Sequence, residues 1–180
     1  TYGRTESPAA WLIDPKTHKM TLFFKHEYNV SYRSLITDSQ MGGNQNMKAV
    51  GDRLYFTTCV GTSNYVQYID KNGNWSEFLT PDGSVDGFDV FDGRLVYCGF
   101  FNMKLSEIYE NGKQLSHQND AFFEEHSISL PKYCGFTNSE GLEIDGWVIE
   151  PVGYKPGKKY PAVMDIHGGP RCTFGTIYFH

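Results

Sequence analysis

The sequence predicts a mostly β chain: a partial β-propeller of about three blades, followed by a shorter segment of different pattern that opens an α/β sheet. Three observations predict this. Aromatics make up 16% of the 180 residues, and Tyr and Phe are scattered through short segments among many Gly, Asn and Asp. That composition suits strands and tight turns better than long helices. A four-strand pattern then recurs within the period of about 40 to 45 residues that marks a propeller blade. Finally, the repeat stops after Asn119, and a Pro- and Gly-rich stretch leads into a short apolar run that ends in His167-Gly168-Gly169-Pro170.

In residues 10–24, two apolar runs flank a polar turn containing Asp14-Pro15 and Lys16-Thr17, which predicts a hairpin. Residues 31–46 are polar and rich in Ser, Gly, Asn and Gln. Residues 47–59 read as strand, Gly51-Asp52 turn, strand. Residues 65–70 and 75–79 make the next pair around Lys71-Asn72-Gly73-Asn74, and an Asn-Gly between alternating apolar residues is the strongest short-range hairpin signal. Residues 88–98 repeat the earlier strand, turn and strand, with Arg53 and Arg94 in the same place after their turns, 41 residues apart. Residues 105–110 and 111–115 then repeat the following strand and its Asn-Gly turn. These are two clear blades, and residues 1–35 supply part or all of a third. Three blades do not close a ring, since propellers have about four to eight. An open arc leaves exposed blade edges through which the chain would form a homo-oligomer.

After Asn119 the spacing changes. Residues 121–126 read as a connector, and short strands are expected at residues 133–136 and 144–151 around the turn at residues 137–141. A polar loop at residues 152–159 leads into the apolar strand at residues 160–167. The domain boundary falls near residue 125, dividing the chain into 1–125 and 126–180.

Composition excludes several functions. The net charge of −5 is spread out, with no basic stripe for a phosphate backbone, so nucleic acid is not an expected partner. No apolar run approaches the roughly 18 to 20 residues that cross a bilayer, so no membrane association is expected. Cys59, Cys98, Cys134 and Cys172 are far apart, without a Cys-x-x-Cys pair. They read as buried free thiols of a reducing compartment, and the expected location is cytoplasmic. His18, His26, His117 and His126 lack metal-ligand spacing, and no Gly-rich phosphate loop is present, so neither metal nor cofactor is expected.

The chemistry sits in the turn. Residues 162–167 are apolar on both faces except at Asp165, as in a strand covered by helices on each side. Gly168 and Gly169 would let backbone N–H groups approach a ligand with no Cβ in the way. In α/β-hydrolases one oxyanion donor is a backbone N–H from the loop after the third strand, and the other is the N–H following the nucleophile. Losing one such donor costs on the order of 3 to 4 kcal/mol of transition-state stabilisation. His-Gly-Gly-Pro taken alone reads equally as an ordinary strand-terminating turn.

Asp145-Gly146-Trp147 within a strand, the Pro-bearing loop, the Lys-Tyr-Pro lead-in and His167-Gly168-Gly169-Pro170 together resemble the start of the peptidase domain in the prolyl oligopeptidase family of serine peptidases. The likeness is greatest to its acylaminoacyl-peptidase and dipeptidyl-peptidase-like branch, and its strong part spans residues 136–170. The resemblance implies a propeller that restricts access to an α/β-hydrolase domain with a Ser-Asp-His triad acting on short peptide substrates. Gly169 would donate its N–H to the oxyanion, Gly168 would permit the approach, and Pro170 would fix the turn. His167 would belong to the turn motif and not to the triad. The family's Ser, Asp and His all follow this motif, so the triad would lie beyond His180 and this chain would be inactive. The Gly-x-Ser-x-Gly elbow is missing, and its nearest imitation, Gly61-Thr62-Ser63-Asn64, lacks the second glycine. Two other readings are a non-catalytic propeller module that binds protein, and a carboxylesterase.

Other polar residues carry blander expectations. Glu124-Glu125 could hold an ammonium group as paired glutamates do in dipeptidyl peptidases, but a solvated connector is the stronger reading. Asp165 is expected to be a hydrogen-bonded structural carboxylate. Arg171 is read as a surface or helix-start residue rather than a substrate contact.

Overall fold

The computed structural model describes residues 9–25, 29–30, 35–40, 46–168 and 173–179. These residues are mostly β, with one short helix and no closed barrel. The chain divides into two compact units: Thr1–Asn119 with His167–His180, and Asp120–Ile166.

The first unit opens with an antiparallel hairpin of β1 (Ala9–Ile13) and β2 (Met20–Lys25). Its turn is built by Asp14, whose carboxylate accepts the backbone N–H groups of Lys16 (2.8 Å) and Thr17 (3.1 Å). That is the local hydrogen bonding for which Asp favours turns. Two antiparallel meanders come next. The first contains β4 (Met47–Val50), β5 (Arg53–Val60) and β6 (Ser63–Asp70), with the short β3 (Asn29–Val30) also pairing with β5. The second contains β7 (Ser84–Phe91), β8 (Arg94–Phe100), β9 (Glu107–Glu110) and β10 (Lys113–Gln114). A parallel pairing of Asn64 with Ser84 links them into one sheet.

The turns follow from residue type. Asp92 (φ 47) and Asn111 (φ 45) are in the left-handed region together with the glycines that follow them, Gly93 and Gly112. Two consecutive positive φ values define the hairpin turn whose twist matches its strands, and Asp-Gly and Asn-Gly are its preferred sequences. Arg53 and Arg94 open β5 and β8 as the repeat requires. Residues 75–79 differ from expectation. They run back beside β6, bridged at Ile69 and Trp75, but form no regular strand. Side chains take part of the ladder's place: the Tyr68 N–H donates to Ser76 Oγ (2.9 Å) and the Val66 N–H to Thr80 Oγ (3.2 Å). The second meander repeats the device, with the Ile108 N–H donating to Ser116 Oγ (2.8 Å).

Alternation along the strands decides how these layers stack. From β5, Leu54 and Phe56 face one way, joining Ile69, Trp75 and the hairpin's Phe23 and Phe24 in one apolar cluster. Tyr55 faces the other way, with Val66 and Tyr68, onto Phe88, Val90, Leu95, Tyr97 and Tyr109 of the second meander. The first meander is therefore covered on both faces. The second has a more open far side, where Phe91 is 79% and Ile108 46% exposed.

In the second unit, α1 (Asp120–Glu125) occupies the expected connector. Two small hairpins come after it: β11 (Lys132–Tyr133) pairs with β14 (Trp147–Val148), and between them β12 (Phe136–Thr137) pairs with β13 (Glu143–Ile144). The inner turn is held by Asn138, whose side-chain oxygen accepts the N–H groups of Glu140 and Leu142, both at 2.9 Å. The strand expected over residues 144–151 is reduced to these two-residue pieces.

The apolar run at residues 160–167 does not form a strand and is not buried: Val163 is 96%, Met164 84% and Ile166 83% exposed. A strand covered on both faces needs ladder partners and helices, and among the described residues none lies against this run.

Candidate functional site

The described part of the turn motif is His167-Gly168; Gly169, Pro170 and Arg171 lie outside the described residues. His167 is exposed, and its Nδ1 donates to the carbonyl of Gly168 at 2.9 Å. Its ring stacks on Phe174, with centroids 4.5 Å apart and planes at 25°. Among the described residues, no atom lies within 4 Å of where a Cβ on Gly168 would be, so the space beside this backbone is open.

Residues 173–179, on the C-terminal side of the turn, form a strap fixed firmly in the first unit. The Ile36 N–H donates to the Thr173 carbonyl (3.0 Å), and Thr37 Oγ1 donates to the Tyr178 carbonyl (2.8 Å). Ile177 is buried with Leu35, Cys59 and Phe100, and Leu105 packs against the group. Gly175 lies so close to Thr62 and Leu35 that a Cβ there would overlap the Thr62 carbonyl oxygen and Leu35 Cδ1. The sequence reading missed this strap. Its few apolar and aromatic residues, Phe174, Ile177, Tyr178 and Phe179, fit a helical and a two-residue spacing equally and so select neither, and the need for Gly175 shows only where two backbones meet.

The remaining candidates stand apart from the turn. Ser63, in the nearest imitation of a nucleophile elbow, is a buried hairpin residue whose Oγ accepts the Gly83 N–H at 3.1 Å. Gly61 (φ 56) makes the turn before it, so its glycine serves a β-hairpin. Glu124 and Glu125 are exposed at the end of α1, in keeping with solvated carboxylates. Asp165 is also exposed and accepts no hydrogen bond from the described residues, contrary to the structural role expected of it. The unformed strand explains this, since no neighbouring strand brings it a donor.

His18 occupies the first hairpin's turn at φ 57, and His126 stacks on Phe122 with centroids 4.5 Å apart. The Nδ1 of His117 lies 3.5 Å from Gln114 Nε2, whereas His26 lies outside the described residues. Among the described residues, no group of three or more His, Cys, Asp or Glu could hold a metal ion, and no helix is long and apolar enough to cross a membrane. Cys59, Cys98 and Cys134 are free; Cys59 is buried, Cys98 half-buried and Cys134 exposed, and Cys172 lies outside the described residues. Burial pushes the Cys59 and Cys98 thiols up, away from the reactive thiolate.

Glu107 is a buried carboxylate. Burial would raise its pKa, but the Ser116 hydroxyl, the Asn119 and Gln118 backbone N–H groups and the Asn119 side chain together hold it below the usual value. Its partners tie residues 116–119 to β9, which makes it a structural group.

No family model matches the chain. Over 189 aligned residues it is 36% identical to the uncharacterized peptidase YuxL of Bacillus subtilis, a match covering 99% of this chain and 29% of that protein. It is 27% identical over 114 residues to a probable dipeptidyl-peptidase 5 of Arthroderma benhamiae, covering 58% of this chain and 16% of the relative. Among solved structures, it matches an acylaminoacyl peptidase of Pyrococcus horikoshii with a TM-score of 0.74 at 24% identity, over 98% of this chain and 26% of that one. A second acylaminoacyl peptidase, in complex with Z-Gly-Gly-Phe-chloromethyl ketone, matches with a TM-score of 0.61 at 20% identity, over 98% and 33%. The chain thus spans a third or less of each of these proteins.

Proposed function

The chain is a relative of the prolyl oligopeptidase family peptidases, and from that premise we propose that it is a portion of a serine peptidase acting on short peptides. In this reading residues 1–125 are the last blades, about three, of a β-propeller, and residues 126–180 are the first strands of an α/β-hydrolase domain. The observation that carries the reading is the sequence match to a peptidase over 99% of the chain. The order of parts supports it: two face-to-face meanders precede a small second unit, and the glycine turn comes last.

The part played by this chain is one wall of the active site. A serine hydroxyl supplied from beyond His180 adds to the scissile carbonyl carbon while a histidine takes its proton, and the carbonyl oxygen becomes an oxyanion. Gly169 donates its backbone N–H to that oxygen, and the second donor follows the serine. Collapse of the intermediate expels the amine with the proton from histidine, and water then releases the acyl group by the same steps in reverse roles. His167 and Pro170 shape the turn, and Gly168 keeps the approach open. The 180-residue chain holds neither nucleophile nor base and is inactive by itself; its location is cytoplasmic.

Fluorophosphonate labelling tests the reading. The longer parent protein takes up the probe at one serine and the 180-residue chain does not. A parent that stays unlabelled and inactive points instead to a silent propeller module. A parent that hydrolyses short-chain esters but not acylated peptides points to a carboxylesterase.

A further inference from the structure

The strap at residues 173–179 does more than end the described chain. It lies on the first unit through a backbone hydrogen bond from Ile36 to Thr173, a side-chain hydrogen bond from Thr37 to Tyr178, the burial of Ile177, and a close approach at Gly175 that leaves no room for a Cβ. From this fixed base Phe174 reaches back and stacks on His167, the first residue of the turn. Phe174 in turn lies beside Phe179, with centroids 5.8 Å apart. The lead-in on the other side offers no such support, since residues 161–167 are exposed and form no strand. Among the described residues, the ring contact of the turn's first residue therefore comes from the strap and, through it, from the first unit.

We infer that Phe174 and Gly175 are positioning residues: Gly175 seats the strap on the first unit, and Phe174 clamps His167, so that the packing of the strap sets where the glycine turn begins. The inference rests on the peptidase reading of the turn. It gives the first unit a role in the chemical step, distinct from restricting access. A displacement of about 1 Å at a catalytic group costs on the order of 100-fold in rate, so a loosened clamp reads out in kcat. Substrate affinity, set elsewhere, stays nearly constant.

Two measurements test it. In the 180-residue chain, the His167 ring protons are shifted upfield by Phe174, and Phe174→Leu moves them to ordinary positions while Phe174→Tyr does not. In the active parent protein, Phe174→Leu lowers kcat about 10-fold or more with KM within about twofold and an unchanged unfolding midpoint. Phe174→Tyr restores the rate, and Gly175→Ala reproduces the loss as a second route to the same displacement. If Gly175→Ala fails to fold, the two Phe174 variants carry the test. His167 signals that ignore Phe174→Leu overturn the clamp. An active parent whose kcat is indifferent to Phe174→Leu overturns the positioning role alone, whereas a parent that hydrolyses no peptide overturns the peptidase reading and this one with it.

Discussion

Phe56→Ala is the most direct probe of the stacked layers. Phe56 is fully buried on β5 and lies between two elements, stacked on Phe24 of the hairpin at 5.8 Å and edge-on to Trp75 at 5.4 Å. Truncation to alanine removes the whole ring from a site closed on both sides, which typically costs about 3 to 5 kcal/mol including the cavity. Aromatic pairs contribute about 0.5 to 1.5 kcal/mol beyond buried area, so the upper half of that range is expected here. For a chain of this size each kcal/mol moves the unfolding midpoint by about 2 to 4 °C, giving a fall on the order of 10 °C. Urea titration followed by tryptophan fluorescence measures the free-energy cost, and a thermal melt measures the midpoint. Phe91→Ala is the control: that ring is 79% exposed and its loss costs within about 0.5 kcal/mol. A double-mutant cycle of Phe24→Leu with Phe56→Leu should give a coupling of about 0.5 kcal/mol or more. A Phe56→Ala cost under about 1 kcal/mol, or zero coupling to Phe24, would refute the face-on stacking of the hairpin upon the first meander.

Two further predictions concern the second meander. Gly99 sits opposite Val85, next to the register shift between Val85 and Gly87, and a Cβ on it would overlap the backbone carbonyl of Ser84. Gly99→Ala should therefore lower stability by about 1 to 3 kcal/mol or more by overpacking, and an unchanged thermal midpoint would contradict that geometry. Glu107 has a folded pKa held below its ordinary value of 4.5. Its contribution is then present above the unfolded pKa and disappears as pH falls through the folded one. The stability gap between the native chain and Glu107→Gln, measured by urea at pH 7 and in steps below pH 5, should narrow with acidity; a gap that widens would reverse the assigned sign.

The turns and most strands of the first unit were legible because their chemistry is local. Asp92-Gly93 and Asn111-Gly112 specify their turn through φ alone, and the two-residue period of a strand specifies which side chains of residues 53–60 share a face. The apolar pattern of residues 75–79 predicts a strand. The pattern does not reveal that Ser76 and Thr80 hydroxyls replace backbone acceptors. The helix at residues 120–125 escaped because six residues are too few for a helical period to declare itself.

For the candidate site, the motif was legible but its setting was not. The apolar character of residues 160–167 predicts a buried strand, yet burial depends on partners that no stretch of this sequence provides among the described residues. The strap was silent for the opposite reason: its anchoring is wholly tertiary, made by Leu35, Thr37, Thr62 and Phe100 from distant parts of the chain.

The central claim is that this chain carries the oxyanion wall of a serine peptidase whose nucleophile lies beyond His180. Fluorophosphonate labelling of the 180-residue chain beside its longer parent, with the modified serine located by mass spectrometry, tests it most directly. The account predicts one labelled serine in the parent, within a Gly-x-Ser-x-Gly elbow beyond residue 180, and none in the shorter chain. Covalent labelling of a serine within residues 1–180, Ser63 included, would contradict it.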